Sequence, residues 1–197
     1  MLDKLRGRVG AATARLGGAF SRAMPSPTSW TATGLFFSLV AAYSYSRGGP
    51  TSELLAAAAV LVSGFFDIVD GAVARTTGRV SKQGSYLDSI LDRLGECAIY
   101  FGILLGGYTS AVLVFAALAS SLLVSYTRAK ADSLGVSLAG VGVGERSERL
   151  VVLILASFLL VLPLGLVVVA VLAGITFTER AIRGARTLQR LDRPARV

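Results

Sequence analysis

Four aspartates stand at helical spacing in two neighbouring apolar stretches of the sequence. Asp67 and Asp70 are three residues apart and therefore share one face of a helix. Asp88 and Asp92 are four residues apart and share a face of the next helix. Carboxylates that face each other in apolar surroundings need cations between them, and their oxygens suit Mg²⁺, Mn²⁺ or Ca²⁺. The pattern predicts a divalent-metal site; a path for protons or cations is the alternative from a different functional class.

Small and basic residues accompany these aspartates. Gly71 and Ala74 lie on or beside the first aspartate face, and Gly84 lies one turn before the second. Such residues leave room for a ligand to approach the backbone closely. Arg75 adds a cation that can hold a phosphate group. Together they indicate room for a phosphate-bearing ligand beside the aspartates.

Membrane-spanning helices must position these residues, because the chain is too apolar for an ordinary soluble domain. Of its 197 residues, 53 % are hydrophobic and 16 % are charged, and the mean hydropathy is +0.66. Several stretches approach the roughly 20 residues that cross a bilayer. These are residues 29–46, 54–66, 94–105, 111–126 and 150–177. Pro163 and Gly165 interrupt the last stretch, so we expect a turn there and six spans in all.

The positions of the basic residues indicate how these spans are oriented. With six spans, the N-terminal segment, residues 75–82, residues 128–149 and the tail after residue 179 fall on one side, which then carries nearly every lysine and arginine. The positive-inside rule puts this side, with both termini and the aspartate site, in the cytoplasm. The net charge of +8 therefore predicts contact with membrane lipids and not with nucleic acid.

The expected fold is an all-α integral membrane protein with six transmembrane helices preceded by an N-terminal amphipathic surface helix. Residues 1–24 have leucines near helical spacing with basic residues between them, which predicts that surface helix; a disordered basic arm is the alternative. Residues 25–187 form the predicted transmembrane catalytic domain, and residues 188–197 form a cytoplasmic tail. The absence of histidine and the single cysteine, Cys97, exclude His-based catalysis, an internal disulfide and a Cys-rich zinc site.

The aspartate segments 67–75 and 84–92 together resemble the signature DxxDGxxAR(x8)GxxxDxxxD of the CDP-alcohol phosphotransferases, with every fixed position filled. The resemblance implies a membrane enzyme that transfers the phosphatidyl-type group of a CDP-linked lipid to an alcohol and releases CMP. It implies two divalent cations, Mg²⁺ or Mn²⁺, and makes Asp92 the general base for the acceptor hydroxyl. The implied metal ligands are Asp67, Asp70, Asp88 and Asp92.

The same resemblance implies a CDP-lipid site along both segments. Its implied residues are Asp67, Asp70, Gly71, Ala74, Arg75, Gly84, Ser85 and Asp88. The sequence departs from the family pattern at one place, because Pro27 is followed by Thr28 where many members have asparagine. This substitution affects one contact on the nucleotide side and leaves the aspartate chemistry intact. Membership of the family also implies a homodimer.

A second set of segments, residues 125–132, 144–149 and 179–180, resembles phosphatidylinositol-phosphate and archaetidylinositol-phosphate synthases within that family. By this resemblance, five basic residues bind the phosphate of inositol 1-phosphate. They are Arg128, Lys130, Arg146, Arg149 and Arg180. A phosphorylated acceptor is a dianion near pH 7, so several converging cations are needed to hold it. The alternative is that these residues only follow the positive-inside rule and contact lipid headgroups.

We therefore expect a metal-dependent transferase of phospholipid biosynthesis. It would join the phosphatidyl or archaetidyl group of CDP-diacylglycerol or CDP-archaeol to inositol 1-phosphate and release CMP. Glycerol 3-phosphate is the alternative acceptor within the family. A cation or proton transporter built on the same four carboxylates is the alternative outside it.

Overall fold

A computed structural model of the protein describes residue 13 and residues 15–23 and 26–192. These residues form α-helices and the loops between them, with no strand in the described ranges. They divide into two compact units between Leu105 and Gly106. The all-α fold expected from the sequence is confirmed.

Each unit contains its own set of helices. The first unit holds α1 (residues 15–23), α2 (Pro27–Ser46), α3 (Pro50–Thr77) and α4 (Lys82–Leu105). The second holds α5 (Ala111–Ser133), α6 (Arg146–Phe158) and α7 (Leu162–Leu191). The first part of the predicted surface helix and the last five residues of the predicted tail lie outside the described residues.

Small residues let α2 pack closely against both α3 and α4. The Ser63 hydroxyl donates to the Gly34 carbonyl at 2.9 Å, and its oxygen lies 2.8 Å from the Ser38 hydroxyl oxygen. A Cβ at Gly102 would come 2.7 Å from the Cα of Ala42, so the backbones of α2 and α4 nearly touch there. Close approach of this kind is the usual basis of helix association inside a membrane.

Aromatic side chains pack α1 against α2 and α3. Phe20 packs edge-on against Trp30 with ring centroids 5.2 Å apart, and Trp30 stacks on Phe66 at 5.5 Å. Gly17 lies so close to α3 that a Cβ there would come 2.5 Å from the Ala72 carbonyl oxygen. The helical residues nearest the N-terminus are therefore held against the end of α3 that carries the aspartates.

The break in the last apolar stretch lies just before the place predicted from the sequence. α6 ends at Phe158, and α7 begins at Leu162 with Pro163 in its first turn. Proline is favoured in the first turn of a helix because the N–H that it lacks has no partner there. The chain therefore turns over residues 159–161 and not over residues 163–165, although the stretch forms two helices as expected.

Among the described residues, three helices, α3, α5 and α7, are long and apolar enough to cross a membrane by length and composition. α4 carries most of its charged side chains in its N-terminal half and one more, Glu96, in its apolar C-terminal half. α6 has 13 residues, which corresponds to a length of about 20 Å. Beyond the three long apolar helices, the count of six spans stays a prediction.

Candidate active site

A short connection joins α3 to α4 and brings the two halves of the aspartate motif together. Gly78 ends α3 in the left-handed region, at φ +67°, and its N–H donates to the Ala74 carbonyl. Ser81 starts α4, because its hydroxyl oxygen accepts a hydrogen bond of 3.0 Å from the Gly84 N–H. The C-terminal end of α3 and the N-terminal end of α4 therefore carry the motif at the same end of this helical hairpin.

Three of the four aspartates converge at this end of the hairpin. One carboxylate oxygen from each of Asp67, Asp70 and Asp88 lies within 4.8 Å of the others. Asp70 is buried, and no hydrogen-bond donor reaches its Oδ2 from the part of the chain that the structure describes. A buried anionic oxygen beside other carboxylates requires a compensating cation, and oxygen donors at this spacing suit a hard divalent ion. The residues present therefore fit a divalent metal.

Asp92 lies one helical turn beyond Asp88 but does not belong to this group of three. Its Oδ2 is 3.2 Å from Nη1 of the adjacent Arg93, and the same nitrogen donates to the Ser89 carbonyl. The Asp92 side chain is 15 % exposed. Three of the four predicted metal ligands are thus together, and the fourth is held beside a cation on its own helix.

A cavity of about 380 Å³ opens beside the aspartates within the first unit. Seven of the eight residues predicted for the CDP-lipid contribute to its wall. They are Asp70, Gly71, Ala74, Arg75, Gly84, Ser85 and Asp88. Asp67 does not line the cavity but belongs to the carboxylate group next to it. The Arg75 guanidinium lies close to Gly71, because a Cβ placed at Gly71 would come 3.3 Å from Nη1 of Arg75.

Four further polar side chains line the same cavity. Thr28 marks the departure from the family pattern, whereas Thr31, Arg79 and Ser81 were missed by the sequence analysis. Arg79 and Ser81 fall in the eight-residue spacer of the motif, where spacing is defined but residue type is not. Thr31 could have been predicted from its spacing. It lies three residues after Thr28, and this spacing puts both threonines on one face of a helix.

The five predicted acceptor residues differ widely in exposure within the second unit. Arg128 and Lys130 are exposed near the end of α5, and Arg146 is half-buried at the start of α6. Arg149 and Arg180 are each only 2 % exposed, which makes them the bulkiest fully buried side chains of the described residues. Buried arginines are rare unless their donors are satisfied, so their partners decide what they do.

Arg180 is bound to three residues of the second unit, one on α5 and two in the loop that follows it. Its Nε donates to the Val141 carbonyl at 2.9 Å, and its Nη1 donates to the Val124 carbonyl at 3.1 Å. Its Nη2 lies 2.6 Å from Oε1 of Glu145, an oxygen that is also 3.8 Å from Nη1 of Arg128. Glu145 therefore bridges a buried arginine and an exposed one.

Arg149 makes a similar contact with the loop residue that precedes Glu145. Its Nη1 donates to the Gly144 carbonyl at 2.7 Å. Arg149 and Arg180 thus direct guanidinium groups at backbone carbonyls of the segment that precedes α6. Of the five N–H donors of Arg180, two go to backbone carbonyls and one goes to the Glu145 carboxylate.

Comparison with known proteins finds relatives across most of the chain. The family model described as CDP-alcohol phosphatidyltransferase matches residues 24–179. The archaetidylinositol phosphate synthase of Pyrococcus horikoshii is 35 % identical over 189 residues, which cover 96 % of this chain and 99 % of that protein. The archaetidylinositol phosphate synthase of Methanothermobacter thermautotrophicus is 40 % identical over 158 residues, with coverages of 77 % and 79 %.

Solved structures of similar fold belong to the phosphatidylinositol phosphate synthase of Mycobacterium tuberculosis. The form with CDP-DAG bound is 26 % identical with a TM-score of 0.74, and the match covers 87 % of this chain and 92 % of that one. The complex with manganese and citrate is also 26 % identical with a TM-score of 0.75, and the match covers 87 % and 88 %.

Proposed function

The chain belongs to the CDP-alcohol phosphatidyltransferase family, and we propose that it transfers the phosphatidyl or archaetidyl group of a CDP-linked lipid to inositol 1-phosphate. It is a multi-pass membrane phosphotransferase of phospholipid biosynthesis. The observation that carries the proposal is the convergence of Asp67, Asp70 and Asp88 beside a cavity lined by the same motif. Inositol 1-phosphate is favoured as acceptor because two relatives, aligned over 96 % and 77 % of this chain, are archaetidylinositol phosphate synthases.

The proposed metal ligands are the aspartates of the motif. Asp67, Asp70 and Asp88 hold two divalent cations, Mg²⁺ or Mn²⁺, and Asp92 adds a ligand to one of them. When bound, such cations neutralise a pyrophosphate and stabilise CMP as the leaving group. Support comes from the carboxylate spacing of 4.8 Å or less and from the manganese in the similar mycobacterial structure.

The proposed CDP-lipid site is the cavity of the first unit. Arg75 supplies a positive charge for a phosphate, while the missing side chains of Gly71 and Gly84 let the ligand approach the backbone. Ala74 and Ser85 complete the part of the wall that the motif provides. The mycobacterial structure with CDP-DAG bound supports this assignment.

Asp92 is the proposed general base. An acceptor hydroxyl oxygen forms a bond to the phosphorus that carries the lipid, the bond from that phosphorus to the CMP oxygen breaks, and Asp92 takes the hydroxyl proton. The Arg93 guanidinium lies 3.2 Å from the Asp92 carboxylate and holds it in place on α4. Asp92→Asn should keep CDP-lipid binding but lower CMP release by about 100-fold or more. Turnover like that of the wild type would remove Asp92 from this role.

The proposed acceptor site is the basic surface of the second unit. The cations that hold the phosphate of inositol 1-phosphate are Arg128, Lys130, Arg146, Arg149 and Arg180. The first two are exposed and accessible to a ligand, whereas the two buried arginines contribute positive charge and their remaining donors. A dianionic phosphate is held best by several such donors at once.

For the membrane arrangement we propose six crossings, with the catalytic domain over residues 25–187 and the tail over residues 188–197. Both termini and the aspartates then face the cytoplasm, because almost all basic residues fall on that side. α6 makes the shortest crossing, which local thinning of the bilayer accommodates. α1 lies along the cytoplasmic surface, and the enzyme acts as a homodimer.

Reconstituted protein supplied with one CDP-lipid, Mn²⁺ and a panel of alcohols tests the proposed function. CMP should form only when all three components are present, and inositol 1-phosphate should give the highest kcat/KM. A preference for glycerol 3-phosphate would identify the alternative acceptor, and a preference for unphosphorylated inositol would contradict a phosphate-binding acceptor site. Ion flux into vesicles without CMP formation would instead indicate a transporter.

A further inference from the structure

The loop between α5 and α6, residues 134–145, is ordered by its own packing in the second unit. Gly135 ends α5 at φ +78°, and the Val136 N–H donates to the Ala131 carbonyl at 2.9 Å. Leu138 is buried and packs with Val136 against the end of α5. The loop therefore has a defined course before it reaches the basic residues of α6.

Thr176 of α7 binds the last part of this loop. It is fully buried, and its hydroxyl oxygen accepts a hydrogen bond of 2.8 Å from the Gly144 N–H. A Cβ at Gly142 would come 2.9 Å from the Cβ of Thr176, and one at Gly144 would come 2.7 Å from the Leu172 carbonyl oxygen. Glycines at these two positions are what allows the loop to lie directly on α7.

The contacts on either side of Gly144 make the position of Glu145 depend on Thr176. The Gly144 carbonyl accepts from Arg149 while its N–H donates to Thr176, so both polar groups of that residue are held. Glu145 follows at once, with Oε1 at 2.6 Å from Nη2 of Arg180 and 3.8 Å from Nη1 of Arg128. The Arg128 side chain is 47 % exposed, and its Nε also lies 4.0 Å from Oδ2 of the exposed Asp132 on its own helix, so Glu145 is the carboxylate that connects it to the loop.

We propose that Thr176 is a positioning residue for the acceptor: it fixes Gly144, so that Glu145 holds the Arg128 guanidinium in place for the acceptor phosphate. The proposal rests on the proposed function for the identity of the acceptor. The hydroxyl acts through the loop and touches no substrate. Its loss should therefore weaken acceptor binding and leave both the bond-making step and CDP-lipid binding unchanged.

The test compares Thr176→Val, which keeps the shape but removes the hydrogen-bond acceptor, with Thr176→Ser, which restores it. Thr178→Val is the matched control, because the Thr178 hydroxyl donates to the Gly174 carbonyl of its own helix and is exposed. CMP release is measured against inositol 1-phosphate at saturating CDP-lipid and Mn²⁺, and amide exchange is measured across residues 141–147. Thr176→Val should raise the acceptor KM about tenfold with little change in kcat, as expected for one hydrogen bond. The exchange of the loop amides should rise with it.

Thr176→Ser should return both the KM and the exchange rate to near the wild-type values, and Thr178→Val should change neither. A Thr176→Val enzyme with an unchanged acceptor KM would overturn the proposal, even if its loop amides exchanged faster. A fall in kcat with an unchanged KM would also overturn it. If the wild type releases no CMP with inositol 1-phosphate, the proposed function fails, and the acceptor role of Thr176 fails with it. An unchanged rate of amide exchange across residues 141–147 in Thr176→Val would separately exclude the contact between Thr176 and the loop.

Discussion

Charged side chains are arranged in opposite ways in the two units of the chain. In the first unit, three carboxylates of like charge converge, and Asp70 Oδ2 has no hydrogen-bond donor in the part of the chain that is described. In the second unit, the buried arginines Arg149 and Arg180 donate to backbone carbonyls and to Glu145. The first arrangement gathers groups of one charge, whereas the second pairs its arginines with carbonyl oxygens and with a carboxylate.

This difference distinguishes a ligand site from a supporting network. Like charges held together lower the stability of the fold unless a ligand of opposite charge binds, so such a cluster indicates a binding site. A buried arginine that donates to carbonyls and to a carboxylate is held in the fold before any ligand binds, and removing it leaves several polar groups without a partner at once. Mutations in the two units should therefore separate activity from stability.

Asp70→Asn should have the largest effect, and that effect should be on activity. The amide replaces a carboxylate of the proposed metal site, and we expect CMP release to fall about 1,000-fold, equivalent to about 4 kcal/mol of transition-state stabilisation. Without metal, the variant should be at least as stable as the wild type, because one of three like charges is gone. CMP assays and thermal unfolding in detergent measure the two effects.

The control for this variant is Asp192→Asn, at an exposed carboxylate that ends α7. It should change neither the activity nor the unfolding temperature. If Asp70→Asn instead unfolded at a lower temperature in the absence of metal, the aspartate cluster would be a structural element and the contrast between the units would fail.

Arg180→Met should have the opposite pattern, a loss of stability. Methionine fills much of the space but leaves Glu145 and the Val141 and Val124 carbonyls without their donor, which costs about 3 kcal/mol. For a chain of this size the unfolding temperature should fall by about 6 to 12 °C. CDP-lipid affinity, measured separately, should stay within about twofold of wild type, a threshold of roughly 0.4 kcal/mol.

Arg183→Met is the matched control three residues further along α7. Its side chain is 59 % exposed and, among the described residues, pairs with Glu179 of the preceding turn. Such a surface pair contributes about 0.5 kcal/mol or less, so the unfolding temperature should barely change. Equal destabilisation by both variants would mean that the buried contacts of Arg180 stabilise the fold no more than the exposed ion pair of Arg183 does.

Metal addition should stabilise the protein through the first unit. Mn²⁺ at about 100 times its dissociation constant adds about 2.7 kcal/mol of stability if it binds only the folded state. Asp70→Asn should lose this gain, whereas Arg180→Met should keep it despite its lower starting stability. A gain that survived in Asp70→Asn would assign the metal to other ligands.

The aspartate site was predictable from the sequence because all of its members lie in one helical hairpin. The i, i+3 spacing of Asp67 and Asp70 puts them on one face of α3, and the eight-residue spacer is long enough for only a short turn before α4. Local geometry therefore brings Asp88 to the other two. The fourth predicted ligand, Asp92, shows the limit of this reasoning, since spacing alone did not predict its contact with Arg93.

The arrangement of the basic residues was not predictable in the same way. Arg180 is separated from Glu145, Val141 and Val124 by 35, 39 and 56 residues, so no local pattern connects them. The sequence predicted the same role, binding of the acceptor phosphate, for Arg128 and for Arg180. The structure shows that Arg128 is exposed and Arg180 is buried. The same limit applies to the turn before α7, where the proline predicted a break but not that Pro163 would lie inside the new helix.

Two serines that cap helices, one in each unit, allow a comparison in which the expected changes in stability and activity are the smallest. Ser81 caps α4 by accepting from the Gly84 N–H at 3.0 Å, and Ser110 caps α5 by accepting from the Leu113 N–H at 3.3 Å. Replacing either with alanine should cost about 1 kcal/mol of stability, because each loses one cap. Only Ser81 lines the cavity beside the aspartates, so only Ser81→Ala should also raise the KM for CDP-lipid. Equal KM values in the two variants would show that Ser81 contributes to the helix and not to the ligand site, since the loss of a cap is common to both.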